Sequence, residues 1–228
     1  MATFYSPRMI TEGLVFFVDA ANTRSYPGSG TTWFDISGNG NSVTLTNGPT
    51  WNSAGYFSND ADSYFTGAGS ASIPTGNSPY CMGVWARQPS SWAGTSGAGG
   101  FISIGGYNST NQSNALRTLN TGTGHFHHYW WANDLSLSNN NAGLALNTWF
   151  FVLAQFDGTT RSIWVNGTQY ASDTPTSHNV ASTTIQVSKT VGTEYQQGDV
   201  AVAFIYNRAL TSAEVSQNFN ALRTRFGI

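Results

Sequence analysis

Residues 147–170, NTWFFVLAQFDGTTRSIWVNGTQY, constrain the fold more than any other part of this chain, because they write out two paired strands and the turns around them. Trp149–Phe156 is apolar and aromatic, with Gln155 as its one polar break. Asp157-Gly158 follows as a turn, and 161–165 as a second strand. Asn166-Gly167 comes next, a dipeptide suited to a tight hairpin because both central residues must take positive φ.

Similar short runs recur at 14–18, 42–46, 80–87, 100–104, 115–119, 125–131, 184–187 and 200–206, bounded by Gly, Asn, Ser and Pro. Many short strands separated by turn signals predict an all-β sandwich or jelly roll. A chain of 228 residues suits one such domain, and no linker or internal repeat divides it. One substantial helix is expected, over 211–226. Thr211 and Glu214 have capping-box spacing, and Leu210 can staple onto Val215. Val215, Phe219 and Leu222 recur at helical spacing, and Gly227 suits the stop.

The tryptophan-led strand, DG turn, short aromatic strand and NG turn resemble the signature hairpins of laminin G-like domains, which are jelly-roll sandwiches of the concanavalin A-like lectin/glucanase superfamily. Residues 13–51, GLVFFVDAANTRSYPGSGTTWFDISGNGNSVTLTNGPTW, resemble the opening of laminin G-like modules carried by tailed bacteriophages. SPYCMGVWARQ, around Trp85, resembles the family's aromatic second-quarter strand, and residues 198–228 resemble its closing strand and helix. The two ends resemble phage virion proteins in particular, cyanophages included. The resemblance implies an N-terminal arm over 1–12 and a jelly-roll domain over 13–228. It also implies a non-enzymatic, multi-copy virion component, either a capsid decoration or a tail-fibre module. Its partners would be other virion proteins and host-surface glycans or lipopolysaccharide, met by weak lectin-like adhesion. A purely architectural capsid or tail subunit is the competing reading, and a glycan-cleaving enzyme a third.

Composition narrows the partners. Charged residues make up 9% of the chain, against about 25% in typical soluble proteins. Gly, Ser, Thr and Asn therefore give a neutral, hydrogen-bonding exterior. A net charge of −2 and the absence of any Lys/Arg cluster leave no footprint for nucleic acid. Lys189 is the only lysine, and Cys81, the only cysteine, is expected to be buried in its strand. The N-terminus reads as lacking a signal peptide, and no apolar run approaches the ~20 residues of a membrane helix. The expectation is synthesis in a host cytoplasm, residence in the virion and no membrane insertion.

Glucanases of this fold place acidic residues on one strand in an E-x-D-x-x-E pattern. Here Glu12, Glu194 and Glu214 are far apart in sequence, so no catalytic residue is assigned. Asp35, Ser37 and Asn39, followed by Gly40, mimic the first half of a calcium loop, but Thr46 stands where its bidentate Glu would be. Turns closed by these side chains are the simpler account, so no cofactor is assigned, with calcium at Asp35, Ser37 and Asn39 the alternative. The most unusual run is HFHHYWW. Strand alternation sends His125, His127, Tyr129 and Trp131 to one face, and Phe126, His128 and Trp130 to the other. Rings that cover a pyranose, beside groups that bond its hydroxyls, make His127, Tyr129, Trp131, Asn133 and Asp134 the candidate carbohydrate site. Plain core packing of Tyr129 and Trp131 is the alternative. Trp33, Trp51, Trp85, Trp149 and Trp164 read as core, and Trp92 as a candidate exposed ring.

Overall fold

The computed structural model describes residues 7–60, 62–88, 98–106, 109–119, 125–137, 142–190 and 192–228, so Trp92 lies outside the described residues. In chain order the strands are β1 (Leu14–Asp19), β2 (Thr32–Trp33), β3 (Val43–Thr46), β4 (Thr50–Asn52), β5 (Tyr56–Asn59), β6 (Tyr64–Gly67), β7 (Tyr80–Arg87) and β8 (Ala98–Gly105). They continue with β9 (Ser113–Leu119), β10 (Phe126–Tyr129), β11 (Leu135–Leu137), β12 (Trp149–Phe156), β13 (Arg161–Val165), β14 (Thr168–Asp173), β15 (Ile185–Val187) and β16 (Gly198–Tyr206). A C-terminal helix, α1 (Ser212–Leu222), closes the chain.

The strands form two antiparallel sheets. The first runs β14-β13-β12-β7-β16-β5-β4 with β1 also on β16, and the second runs β11-β10-β9-β8-β15-β6-β3-β2. Their inner faces supply one core, in which Val84, Val152, Ile163 and Ala203 share a cluster with Phe65, Ile102, Leu116, Phe126 and Val187. Each Val, Leu, Ile or Phe side chain among them contributes about 1.5–3 kcal/mol by leaving water. The hairpins turn where the sequence predicts. Asn166 and Gly167 take φ of 48° and 82°, and the Asp157 Oδ1 accepts the Thr159 and Thr160 amides at 2.9 and 2.7 Å.

A second apolar layer decides which surface is left open. Trp85, Phe151, Leu153 and Phe204 point out of the first sheet and are covered by Leu210, Val215 and Phe219. The Trp85 ring stacks on Phe219 at 5.7 Å and on Phe226 at 4.3 Å. The capping box forms as read, with the Glu214 amide donating to the Thr211 Oγ1 and the Thr211 amide to the Glu214 Oε2. The expected helix over 211–226 is shorter as an α-helix, because its last turn, Arg223–Phe226, tightens into a 3₁₀ turn ending at Gly227, φ 73°. The outer face of the first sheet is thus closed by the helix. The outer face of the second sheet carries polar side chains in register: Thr32 opposite Thr44, Thr44 opposite Thr66, Thr66 opposite Gln186, and Gln186 opposite Ser103.

Candidate functional site

The HFHHYWW run forms part of the second sheet and splits as the alternation predicts up to Trp130. Phe126, His128 and Trp130 are fully buried in the sandwich, while His125 and His127 are half-buried on the outer face. The expected strand over 125–131 is shorter, because it ends at Tyr129. Register continued from the pairs Phe126–Leu137, His127–Ser136 and His128–Leu135 makes Trp131 and Ala132 the two central residues of the β10–β11 hairpin. Their φ values are 60° and 55°. Such a turn prefers Asn-Gly, and a tryptophan in the left-handed region costs about 1–2 kcal/mol.

Neighbouring hydrogen bonds hold this strained turn. The Trp130 amide donates to the Asp134 Oδ1 at 3.0 Å, and the buried Arg161 donates to the Asn133 carbonyl at 2.6 Å. The Asn133 amide group donates to the Asn111 Oδ1 at 2.9 Å. These contacts use the Asp134 Oδ1 and the Asn133 amide nitrogen and carbonyl to shape the turn. Trp131 reaches the expected face by that turn rather than by strand pleat, with its ring 5.9 Å from that of Tyr129. Tyr129 itself is only 5% exposed, and the Arg117 guanidinium lies 3.7 Å over its ring. That ring face is therefore taken. Tyr129 lies beneath the cluster, and the half-buried Trp131 ring sits beside it.

Two residues that the sequence alone does not place at this site complete the cluster. Arg117 of β9 lies opposite His127, and its guanidinium contacts the Glu194 Oε1 at 2.5 Å and the Asp134 Oδ2 at 3.8 Å. Glu194 lies between β15 and β16, where Lys189 and Thr190 pack against Gly100 and Gln196 against Gly99. A Cβ on Gly100 would sit 2.2 Å from the Thr190 backbone nitrogen, so only glycine lets the connection lie this close. The fold thereby brings Asp134 and Glu194, distant in sequence, to one guanidinium. Burial, with Arg117 and His125 adding to it, lowers the His127 pKa to about 4. His127 is then a neutral imidazole at neutral pH, able to donate and accept, and its Nδ1 lies 3.3 Å from the Ser136 hydroxyl. Burial raises the Asp134 pKa against the pull of its Trp130 amide bond and Arg117.

Asp35, Ser37 and Asn39 do not converge as cation ligands. The Asp35 Oδ1 accepts the Phe17 and Ser37 amides, and its Oδ2 accepts the Ser37 hydroxyl and the Asn41 amide, all at 2.9 Å. Asn39 turns its amide nitrogen, not its oxygen, toward Ser37 and the Leu14 carbonyl. Four donors aimed at one carboxylate make a turn staple and suit a calcium ion poorly. Among the described residues, no group of three or more His, Cys, Asp and Glu side chains could hold a metal.

Several solved structures share this architecture. The sialidase of Trypanosoma rangeli in complex with sialic acid matches 93% of this chain and 33% of its own at 12% identity, with a TM-score of 0.68. The binding domain of botulinum neurotoxin serotype G matches 90% of this chain and 50% of its own, at 16% identity and a TM-score of 0.67. The binding domain of Paraclostridial Mosquitocidal Protein 1 matches 92% and 52%, at 16% identity and 0.63. The chain thus spans a third to about a half of the length of these proteins, and the likeness is one of fold. No curated protein sequence matches the chain. A family profile, that of the concanavalin A-like lectin/glucanases superfamily, matches residues 59–216. With its two antiparallel sheets and a matched stretch covering most of its length, the chain belongs to that superfamily.

Proposed function

We propose that this domain is a non-catalytic adhesion module of a tailed-phage virion, a capsid decoration or tail-fibre component present in many copies, which binds glycans weakly through the outer face of its second sheet. The observation that carries the reading is the gathering of His127, Trp131, Asp134, Arg117 and Glu194 around the buried Tyr129 on the sheet face that α1 leaves open. Trp131 offers a ring for the apolar face of a sugar, and neutral His127 offers a donor and an acceptor for its hydroxyls. A fold relative solved in complex with sialic acid supports the glycan part. The virion part rests on the resemblance of the two ends of the chain to phage modules. Many copies would convert millimolar single-site binding into useful avidity.

This reading gives the carboxylate pair no hydrolytic role. Glycoside cleavage requires one carboxyl group to deliver a proton and another to attack or activate water. Here Asp134 is committed to the Trp130 amide and Glu194 to Arg117. A glycan array probed with the protein clustered on a multivalent carrier is expected to show binding that the single domain shows only weakly. Incubation with laminarin, agarose, alginate or host lipopolysaccharide is expected to release no reducing ends. Turnover abolished by Asp134→Asn or Glu194→Gln would overturn the non-catalytic reading. An array blank at every density would leave an architectural subunit.

A further inference from the structure

A second cluster on the same face takes no part in the site around Trp131. The Lys189 ammonium lies 4.2 Å from the Tyr64 ring centroid and 5.0 Å from that of Tyr195, and the two rings are 5.8 Å apart. All three side chains are half-buried. Each buried or half-buried arginine has a carboxylate: Arg87 has Asp199, Arg117 has Glu194, Arg161 has Asp173 and Arg208 has Glu214. Among the described residues Lys189 makes no salt bridge, and Glu194, its neighbour along the connection, is turned to Arg117. Burial lowers the Lys189 pKa, as it does for an ammonium withdrawn from water without a counter-charge.

The floor beside it is unsatisfied in the complementary sense. Gln186 is 9% exposed, and its buried Oε1 has no hydrogen-bond partner. It lies in register between Thr66 and Ser103, and the Ser103 hydroxyl donates to the Lys189 carbonyl at 3.1 Å. A native fold rarely leaves such an acceptor empty. A cation without its anion, an acceptor without its donor, and two phenol rings converge on one patch. That combination matches a sugar bearing both a negative group and hydroxyls.

We propose that Tyr64, Lys189 and Tyr195, with Gln186 behind them, form a subsite for the anionic residue of an acidic glycan, a carboxylated or sulfated pyranose. The inference rests on the adhesion reading and deepens it by naming the ligand class. The tyrosine rings hold the ammonium by cation–π attraction and leave its N–H donors to the anion. Gln186 lies beneath them with its Oε1 buried and unpartnered. Four strand spacings separate β6 from β10, about 19 Å across the sheet. Adjacent residues Glu194 and Tyr195 join the two clusters, so the occupant is an oligosaccharide spanning both.

Because the chain has one lysine, reductive ¹³C-methylation gives a single lysine NMR signal beside that of the terminal amine. Titrants are a glucuronate-containing oligosaccharide, a sulfated one and their neutral counterpart. An anionic sugar is expected to shift the Lys189 signal, raise its pKa and bind about tenfold tighter than the neutral one. Lys189→Gln should erase that preference, with the Tm of the variant read alongside to show that the fold is kept. Response to only one anion still supports the subsite and identifies the group. Equal affinity for charged and neutral sugars, or a preference that survives Lys189→Gln, overturns the subsite and leaves the adhesion reading standing. A wild-type protein that binds no glycan of any charge overturns both.

Discussion

Trp130→Ala is expected to cost about 3–5 kcal/mol of stability, as loss of a buried tryptophan does. Its indole is fully buried, lies parallel to the His178 ring at 3.8 Å and donates through Nε1 to the Tyr80 hydroxyl at 2.8 Å. The Arg161 guanidinium sits 4.4 Å over it, wholly buried and paired with Asp173. Removing the ring therefore opens a cavity beside a buried charge and leaves the Tyr80 hydroxyl with His128 alone of its two ring partners. The Arg161 contact to the Asn133 carbonyl should loosen with it, so the Trp131 turn would be disturbed too. Urea melts of wild type and variant measure the loss. A change below about 1 kcal/mol would contradict this packing.

Acid should destabilise the same end of the sandwich in a defined window. His128 and His178 face Tyr80, Arg161 and each other, with Asp173 beyond Arg161. Burial, joined by the Arg161 charge, lowers both pKa values, that of His178 to about 4. In the unfolded chain both imidazoles titrate near 6.5. Between pH 6.5 and 4 the unfolded state therefore binds more protons, and stability falls as pH falls. The contribution is fully present above about 6.5, and for His178 its loss amounts to about 3 kcal/mol by pH 4. Glu214, whose pKa its Arg208 partner lowers to about 2, acts in a separate window between its ordinary 4.5 and 2. His178→Phe keeps a ring against Trp130 and removes one titration. Its stability should depend less steeply on pH between 6.5 and 4, and an unchanged slope would assign the acid sensitivity elsewhere.

How much of this was legible in sequence depended on how local the signal was. The β12–β13–β14 turns, β7, β12 and the capped helix were readable because each is fixed by a contiguous pattern: an NG pair, a run of apolar residues, Thr211 with Glu214. Strands β2, β4, β5, β6, β11 and β14 were missed. Most are two to four residues long, and β14, TQYASD, is polar, so alternation cannot separate them from loop. At the site, the alternation correctly separated His127 and Tyr129 from His128 and Trp130. It could not foresee that the strand would stop at Tyr129, because Trp131-Ala132 is a poor turn sequence held by Arg161 and Asn111 from elsewhere. Arg117 left no local trace beyond a charge within an otherwise uncharged strand, and Glu194, between β15 and β16, left none. Their pairing exists only because Gly99 and Gly100 admit the 188–197 connection.

Trp131→Ala separates binding from packing, and with it the adhesion reading from an architectural one. Calorimetric or NMR titration of wild type and variant with a glycan selected on the array, alongside thermal melts of both, is the direct measurement. If the half-buried ring is the sugar platform, binding weakens by about 1–3 kcal/mol, the contribution of covering one aromatic side chain, while Tm stays close to that of wild type. Unchanged affinity, or severe destabilisation with unchanged affinity in whatever folds, would assign this face to structure and contradict the account.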